Sequence, residues 1–248
     1  MVGFSEPRIQ GNVDLSILIP TYEMGSVGGP MLERALSSIA AQTGLENVRL
    51  EVVVADQSRN NDVLVQCLQF MGHEQFALRY FRNRAHRGSG SANLNFAFRK
   101  SAGPLIKILL QDDFLFREDA MSKILEAFRD NDSAWLAVGC NHTANGLEFS
   151  NNHIPSWHDQ IHLEKNTISS PSVIALRRRA WKKFDPALIW LMDVDFYKRV
   201  FSAHGQPLVL PQILVANGLG AHQVTNTRAN PVRRRLELAY VRIKHFWH

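Results

Sequence analysis

Little in the sequence gives its function away at once. It contains only two cysteines, Cys67 and Cys140, and neither has a partner at metal-ligand spacing. They read as reduced core thiols, which removes a thiol metal site and makes a cytosolic location the expectation. No apolar run approaches the ~18 residues that a membrane span needs. The opening MVGFSEPRIQGNVD lacks the basic and then apolar layout of a secretory leader. Internal repeats and low-complexity segments are absent. The stretch HRGSGSAN has no P-loop lysine and follows the third apolar run rather than the first, which tells against a dinucleotide fingerprint. Basic residues are not interleaved with aromatics on a recognisable module, so nucleic acid is not an expected partner.

What is present is ordinary globular material. The chain of 248 residues is 45% hydrophobic and 21% charged, with a net charge of +5 that permits anionic partners without choosing among them. From Leu15 to Leu110 apolar runs alternate with helical stretches. LSILI (15–19), LEVVVA (50–55), LRYF (78–81) and LIKILL (105–110) suit buried parallel strands. Between them lie a helix entered at Pro30, a second with an inner face of Leu64, Cys67, Leu68 and Met71, and a third over 91–101 stopped by Gly103 and Pro104. This rhythm predicts an α/β fold with a doubly wound, mostly parallel sheet and helices on both faces. Further on come a helix over 118–129, the strand AWLAVGC, a histidine-rich stretch over 141–166, the strand SPSVIAL and a helix over 193–203.

Ligands of open parallel sheets bind beyond the carboxyl ends of the strands. Pro20, Thr21, Tyr22 and Glu23 follow the first run; Asp56, Gln57 and Ser58 follow the second. Asn83 and Arg84 follow the third, and Gln111, Asp112 and Asp113 the fourth. The adjacent carboxylates in IKILLQDDFLF are the oddest feature, because burying two unpaired charges is costly. Solvent, basic partners or a metal are the three ways out, and the oxygen ligands suit Mg²⁺ or Mn²⁺. The plain alternative is a surface turn in which Asp113 caps the next helix.

Four segments in order resemble family 2 glycosyltransferases of the GT-A fold, over nearly the whole chain to about residue 225. LSILIPTYEMG is similar to their first strand and turn, and LEVVVADQS to their EIIVVDDGS. GSGSANLNFAFRKSAGPLIKILLQDDF is similar to their glycine-rich loop, helix and acidic turn, and DPALIWLMDVDFYKRV to their acceptor-side helix. The resemblance implies a nucleotide-binding half over 12–113, an acceptor half over 114–225 and a separate tail over 226–248. It implies that Asp56 meets the nucleotide base, that Pro20, Thr21 and Tyr22 line the nucleoside, and that Asp112 reaches the metal. Asp193 then matches the catalytic base, Asp195 supports it beside Trp190 on the acceptor side, and His222 is a third group near the metal. The departures are Leu110 in place of the first metal aspartate, Ala55 and Gln57 within the second motif, and Asn93, Leu94 and Asn95 in the third helix.

The function so implied is an inverting, hexosyltransferase-like enzyme that uses a divalent metal and a nucleotide-diphospho-sugar, with UDP favoured. Its acceptor would be a glycan or lipid-linked hydroxyl in cell-surface polysaccharide or glycolipid synthesis. A catalytically inactive nucleotide-sugar binder is the alternative that Leu110 raises. A sugar-phosphate nucleotidyltransferase fits less well, because PTYEMGSVGGPMLER does not supply its glycine-rich basic loop. The tail places Leu236, Tyr240, Ile243 and Trp247 at helical spacing beside Arg233, Arg234, Arg235, Arg242 and Lys244. It packs on the body with its basic residues outward, or lies on the inner face of an anionic membrane. Arg177, Arg178, Arg179, Lys182 and Lys183 read as a solvated face ahead of a phosphate contact.

Overall fold

The computed structural model describes residues 12–220 and 229–246. Its first half follows the apolar runs. Strands β1 (Leu15–Thr21), β2 (Leu50–Asp56), β3 (Phe76–Arg82) and β4 (Leu105–Ile108) are parallel neighbours in the order β3-β2-β1-β4. β1 and β2 bury nearly every residue, as continuous apolar strands covered on both faces must. Helices α1 (Gly28–Ala40), α2 (Asp62–Gln69) and α3 (Gly90–Lys100) make the crossovers.

One inner face differs from expectation. α2 buries Val63 and Cys67, while Leu68 and Met71 are exposed. Its apolar residues, Val63, Leu64, Val65, Cys67 and Leu68, spread over more than half of the circumference, so periodicity alone cannot choose which part of that arc is buried.

The second half extends the same sheet. After the two-residue strand β5 (Phe114–Leu115) come α4 (Ala120–Asp130), β6 (Trp135–Thr143), β7 (Ser150–His153), β8 (Ile174–Arg177), α5 (Met192–His204) and β9 (Leu208–Gly218). β8 lies antiparallel between β4 and β6, and β9 runs parallel to β6 and antiparallel to β5. Among the described residues this gives one sheet of nine strands, mostly parallel, that crosses both halves of the chain. Lys107 on β4 is fully buried, and its ammonium donates to the carbonyls of Ile108, Ser172 and Ile174. The basic segment at the end of β8 divides: Arg179 and Lys183 are exposed, as a solvated face would be, whereas Arg177 and Arg178 are staples. Arg177 donates to the Phe128, Asn131 and Ser133 carbonyls, and Arg178 to the Gly103 carbonyl and Ser101 Oγ.

The last helix, α6 (Pro231–Phe246), packs on the body with the opposite face from the one its apolar stripe suggests. Glu237, Val241 and His245 point inward, whereas Leu236, Ile243 and Phe246 are 66%, 71% and 74% exposed. Trp247 lies outside the described residues.

Candidate active site

The carboxyl ends of β1, β2 and β4 open on a cleft of about 480 Å³, a size that suits a small-molecule ligand. Pro20, Thr21, Tyr22 and Glu23 from the turn after β1 line one wall, with Gln57 and Arg59 beyond β2. Arg87, Gly88, Gly90 and Asn93 come from the glycine-serine loop and the start of α3, and Leu110, Gln111 and Asp112 from the acidic turn. Ser170, Pro171 and the segment Ile189, Trp190, Met192 and Asp193 complete the lining.

The two adjacent aspartates go different ways. Asp112 is half-buried on the cleft wall. Asp113 is buried and accepts from the Gly218 N–H at 2.8 Å and from Ser170 Oγ at 3.0 Å. Burial, and then the neighbouring charge of Asp112, push the Asp113 carboxyl up to about 7. It caps no helix, since α4 begins at Ala120. The turn itself is held from outside. Arg34 donates to the Asp112 carbonyl at 2.7 Å, and Gln111 bridges from the Tyr22 N–H to the Gly28 carbonyl. Gln111 is therefore a brace between the β1 turn and α1.

Asp193 sits in the first turn of α5, half-buried and lining the cleft. Its carboxylate accepts from Asn166 Nδ2 at 2.9 Å and from the Val194 N–H at 2.8 Å. The surrounding protein outweighs these bonds and raises the group to about 6, with the charge of Glu237 adding in the same direction. Asp195 points away from the cleft, fully buried among Arg199, Lys244 and His245. Burial raises it, but these partners together pull it down to about 2.

The remaining sequence candidates do not line the cleft. Asp56 is fully buried behind Gln57, and its carboxylate is engaged by Tyr80 Oη at 2.6 Å, Arg82 Nε at 3.2 Å and the Ser58 N–H at 2.8 Å. Asn83 donates to Asn93, and Asn95 exchanges hydrogen bonds with the backbone of Phe184. Ser58 is buried and Arg84 exposed. His222 lies outside the described residues. Sequence reasoning missed Arg59 and Arg87 as cations in the cleft, Asn166 as the partner of Asp193, and Glu237. Arg87 carried a signal, since it sits inside the glycine-serine loop; the others depend on approaches across the fold.

Among the described residues no three His, Cys, Asp or Glu side chains cluster as a metal cage. The donor set still fits a magnesium-like ion, which takes one or two carboxylates and completes its shell with substrate phosphates and water. Asp112 is the carboxylate on the cleft that could serve.

Comparison with known proteins bears on the fold and the family. Structural likeness extends to the S. aureus TarS 1–349 fragment in complex with UDP-GlcNAc, at a TM-score of 0.71 and 16% identity over 94% of this chain and 66% of that one. The chain spans 44% of the longer TarS structure. The Pyrobaculum calidifontis mannosyltransferase PcManGT, in complex with GDP-Man and Mn²⁺, gives 0.65 and 16% over 98% of this chain and 66% of its own. These identities establish the GT-A fold. A search of curated protein sequences gives no match. The family model for Glycosyl transferase family 2 matches residues 16–169, from β1 past the acidic turn and ending before α5. Since that match covers more than half of the sequence, the chain belongs to glycosyl transferase family 2.

Proposed function

We propose that the protein is an inverting glycosyltransferase that moves a sugar from a nucleotide-diphospho-sugar, UDP-linked by preference, to a hydroxyl of a glycan or lipid-linked acceptor. The place of such a step would be cell-surface polysaccharide or glycolipid synthesis. The observation that carries this reading is that Asp112 and Asp193 line one and the same cleft. Asp193, raised to about 6, is ionised at neutral pH yet basic enough to accept the acceptor's hydroxyl proton. The acceptor oxygen then bonds to the anomeric carbon as its bond to phosphate breaks, and the electron pair leaves with the nucleoside diphosphate. Attack from the face opposite the leaving group inverts the centre. Arg59 and Arg87 bring positive charge to the cleft, where an anionic donor would meet it. A divalent ion bound at Asp112 would neutralise charge on the leaving group.

The outward face of α6 supports a peripheral contact with anionic lipid, close to a lipid-linked acceptor. Val232, Leu236, Ile243 and Phe246 are exposed along one stripe, and Arg235 and Arg242 flank it. Antiparallel pairing with a second copy would instead set those arginine flanks together. Among the described residues no helix is long and apolar enough to cross a membrane.

Leu110 lines the cleft where the resemblance expects an aspartate, which favours the inactive binder as the second reading. Donor hydrolysis separates the two. The protein is incubated with UDP-, GDP- and dTDP-sugars with and without Mn²⁺, and release of nucleoside diphosphate is scored. Turnover with one donor is the expected result; binding without turnover supports the binder, and neither binding nor turnover overturns both.

A further inference from the structure

The carboxylate of Glu237, on the inward face of α6, is only 5% exposed and does not itself line the cleft. It gathers three consecutive backbone N–H groups. Oε1 accepts from Ile189 at 3.0 Å, and Oε2 accepts from Trp190 at 2.8 Å and Leu191 at 3.0 Å. These residues run straight into the first turn of α5, where Asp193 stands. Arg233, one turn earlier on α6, holds Oε1 at 2.8 Å and supplies the countercharge.

The same helix grips this segment at two further points. The guanidinium of Arg234 lies over the Trp190 ring, 4.9 Å from its centroid. His245 and Lys244 both reach Asp195 at 2.9 Å, two residues past Asp193. α6 thus holds the chain on both sides of Asp193 through residues behind it, and contributes none of its own side chains to the cleft lining.

We propose that Glu237 is a positioning residue for sugar transfer, fixing the 189–191 segment and so the stance of Asp193 toward the acceptor hydroxyl. A run of three N–H groups converging on one carboxylate defines a single backbone path, because each donor removes freedom from the loop. An apolar residue at this place could fill the space but would leave three donors unsatisfied and the loop free to shift. Small displacements of a base are costly, since proton transfer needs hydrogen-bond distance to the attacking oxygen. The inference rests on reading Asp193 as the base. The charge of Glu237 also helps keep the Asp193 carboxyl raised, after burial, with Tyr197 on α5 the other titratable neighbour.

The test is a cycle of four full-length proteins: unmodified, Glu237→Gln, Asp193→Asn and the double variant. Each is assayed for hydrolysis of whichever UDP-, GDP- or dTDP-sugar the unmodified protein turns over fastest. Glu237→Gln should lower kcat at least tenfold while donor Kd, by calorimetry, stays within twofold. If Glu237 acts through Asp193, the double variant should be no slower than Asp193→Asn alone. A general loss of structure would instead recur in full in the Asp193→Asn background and raise donor Kd; either result, or an unchanged kcat, overturns the proposal. Full activity of Asp193→Asn would remove the base reading itself. Should Glu237→Gln not fold, Arg233→Gln keeps the carboxylate but strips its partner. It should lower kcat in the same way at constant donor Kd, and an unchanged kcat there rejects the idea. Absence of turnover with every donor would remove the enzyme reading and this inference together.

Discussion

The N–H of Gly218, at the end of β9, donates to Asp113 Oδ1 at 2.8 Å and so ties the second half of the sheet to the acidic turn after β4. The approach is close enough that a Cβ at Gly218 would overlap the Asp112 carbonyl. Gly218→Ala should therefore push the turn out of place, lowering stability by about 1–3 kcal/mol and turnover by more than the stability loss explains. Urea denaturation and donor hydrolysis on the same preparation check both.

The two aspartates of the turn should separate in the same assays. Asp113→Ala leaves the Gly218 N–H without its acceptor and should cost about 1–3 kcal/mol in urea denaturation. Asp112→Asn should change stability by less than about 0.5 kcal/mol yet reduce turnover by roughly 10²–10³-fold and abolish any stimulation by Mn²⁺. Equal behaviour of the two variants would remove the division of labour between them.

The pH profile of kcat should carry an acid limb near 6, where Asp193 gains its proton. The sign follows from the mechanism: a base must be ionised, so activity is lost as pH falls through that value and is retained above it. Asp193→Asn should lower kcat by roughly 10²–10⁴-fold and erase the limb. A limb that persists in that variant would assign it to another group.

Arg59 and Arg87 enter the cleft with no counterpart in the sequence-based site. Changing either to alanine should weaken donor affinity about tenfold, ~1.4 kcal/mol, with nucleoside monophosphate affected less than diphosphate. Calorimetry with UDP and UMP makes the comparison, and equal losses for both ligands would place these side chains away from the diphosphate.

Membrane contact through α6 is best tested without deleting the helix, because deletion also removes Glu237 and the partners of Asp195. The paired change Leu236→Glu and Ile243→Glu acts on the exposed stripe alone. It should abolish sedimentation with phosphatidylglycerol vesicles while leaving donor hydrolysis unchanged. Unaltered vesicle binding, or none by the unmodified protein, would end the idea. So would a dimer in light scattering that the paired change dissolves.

The strands of the donor half were legible because fully buried parallel strands are written as unbroken apolar runs, and the cleft followed from where those runs end. Asp112 and Asp193 were legible through motif order. What stayed hidden depends on approach across the sheet. Asp56 pairs in register with Arg82 on β3, so the carboxylate has a partner within the fold that its own segment does not reveal. Lys107 is a charge within an apolar strand, but two of its three carbonyl acceptors, Ser172 and Ile174, need the β8 segment laid alongside. The apolar stripe of α6 points outward because its inward face is specified by Glu237 and His245, two polar residues whose partners lie some fifty positions upstream. Periodicity reads greasy residues as buried and has no means of weighing such pairs.

The order in which the chain is made gives α6 a last consequence. β1 to β4, and with them most of the nucleotide-facing wall, are synthesised well before Glu237. A chain interrupted before α6 would keep that wall while the loop bearing Asp193 lacked its anchor. On the function proposed above, such a fragment would bind nucleotide-sugar without transferring it, and incomplete synthesis would yield a competitor of the finished protein for its own donor.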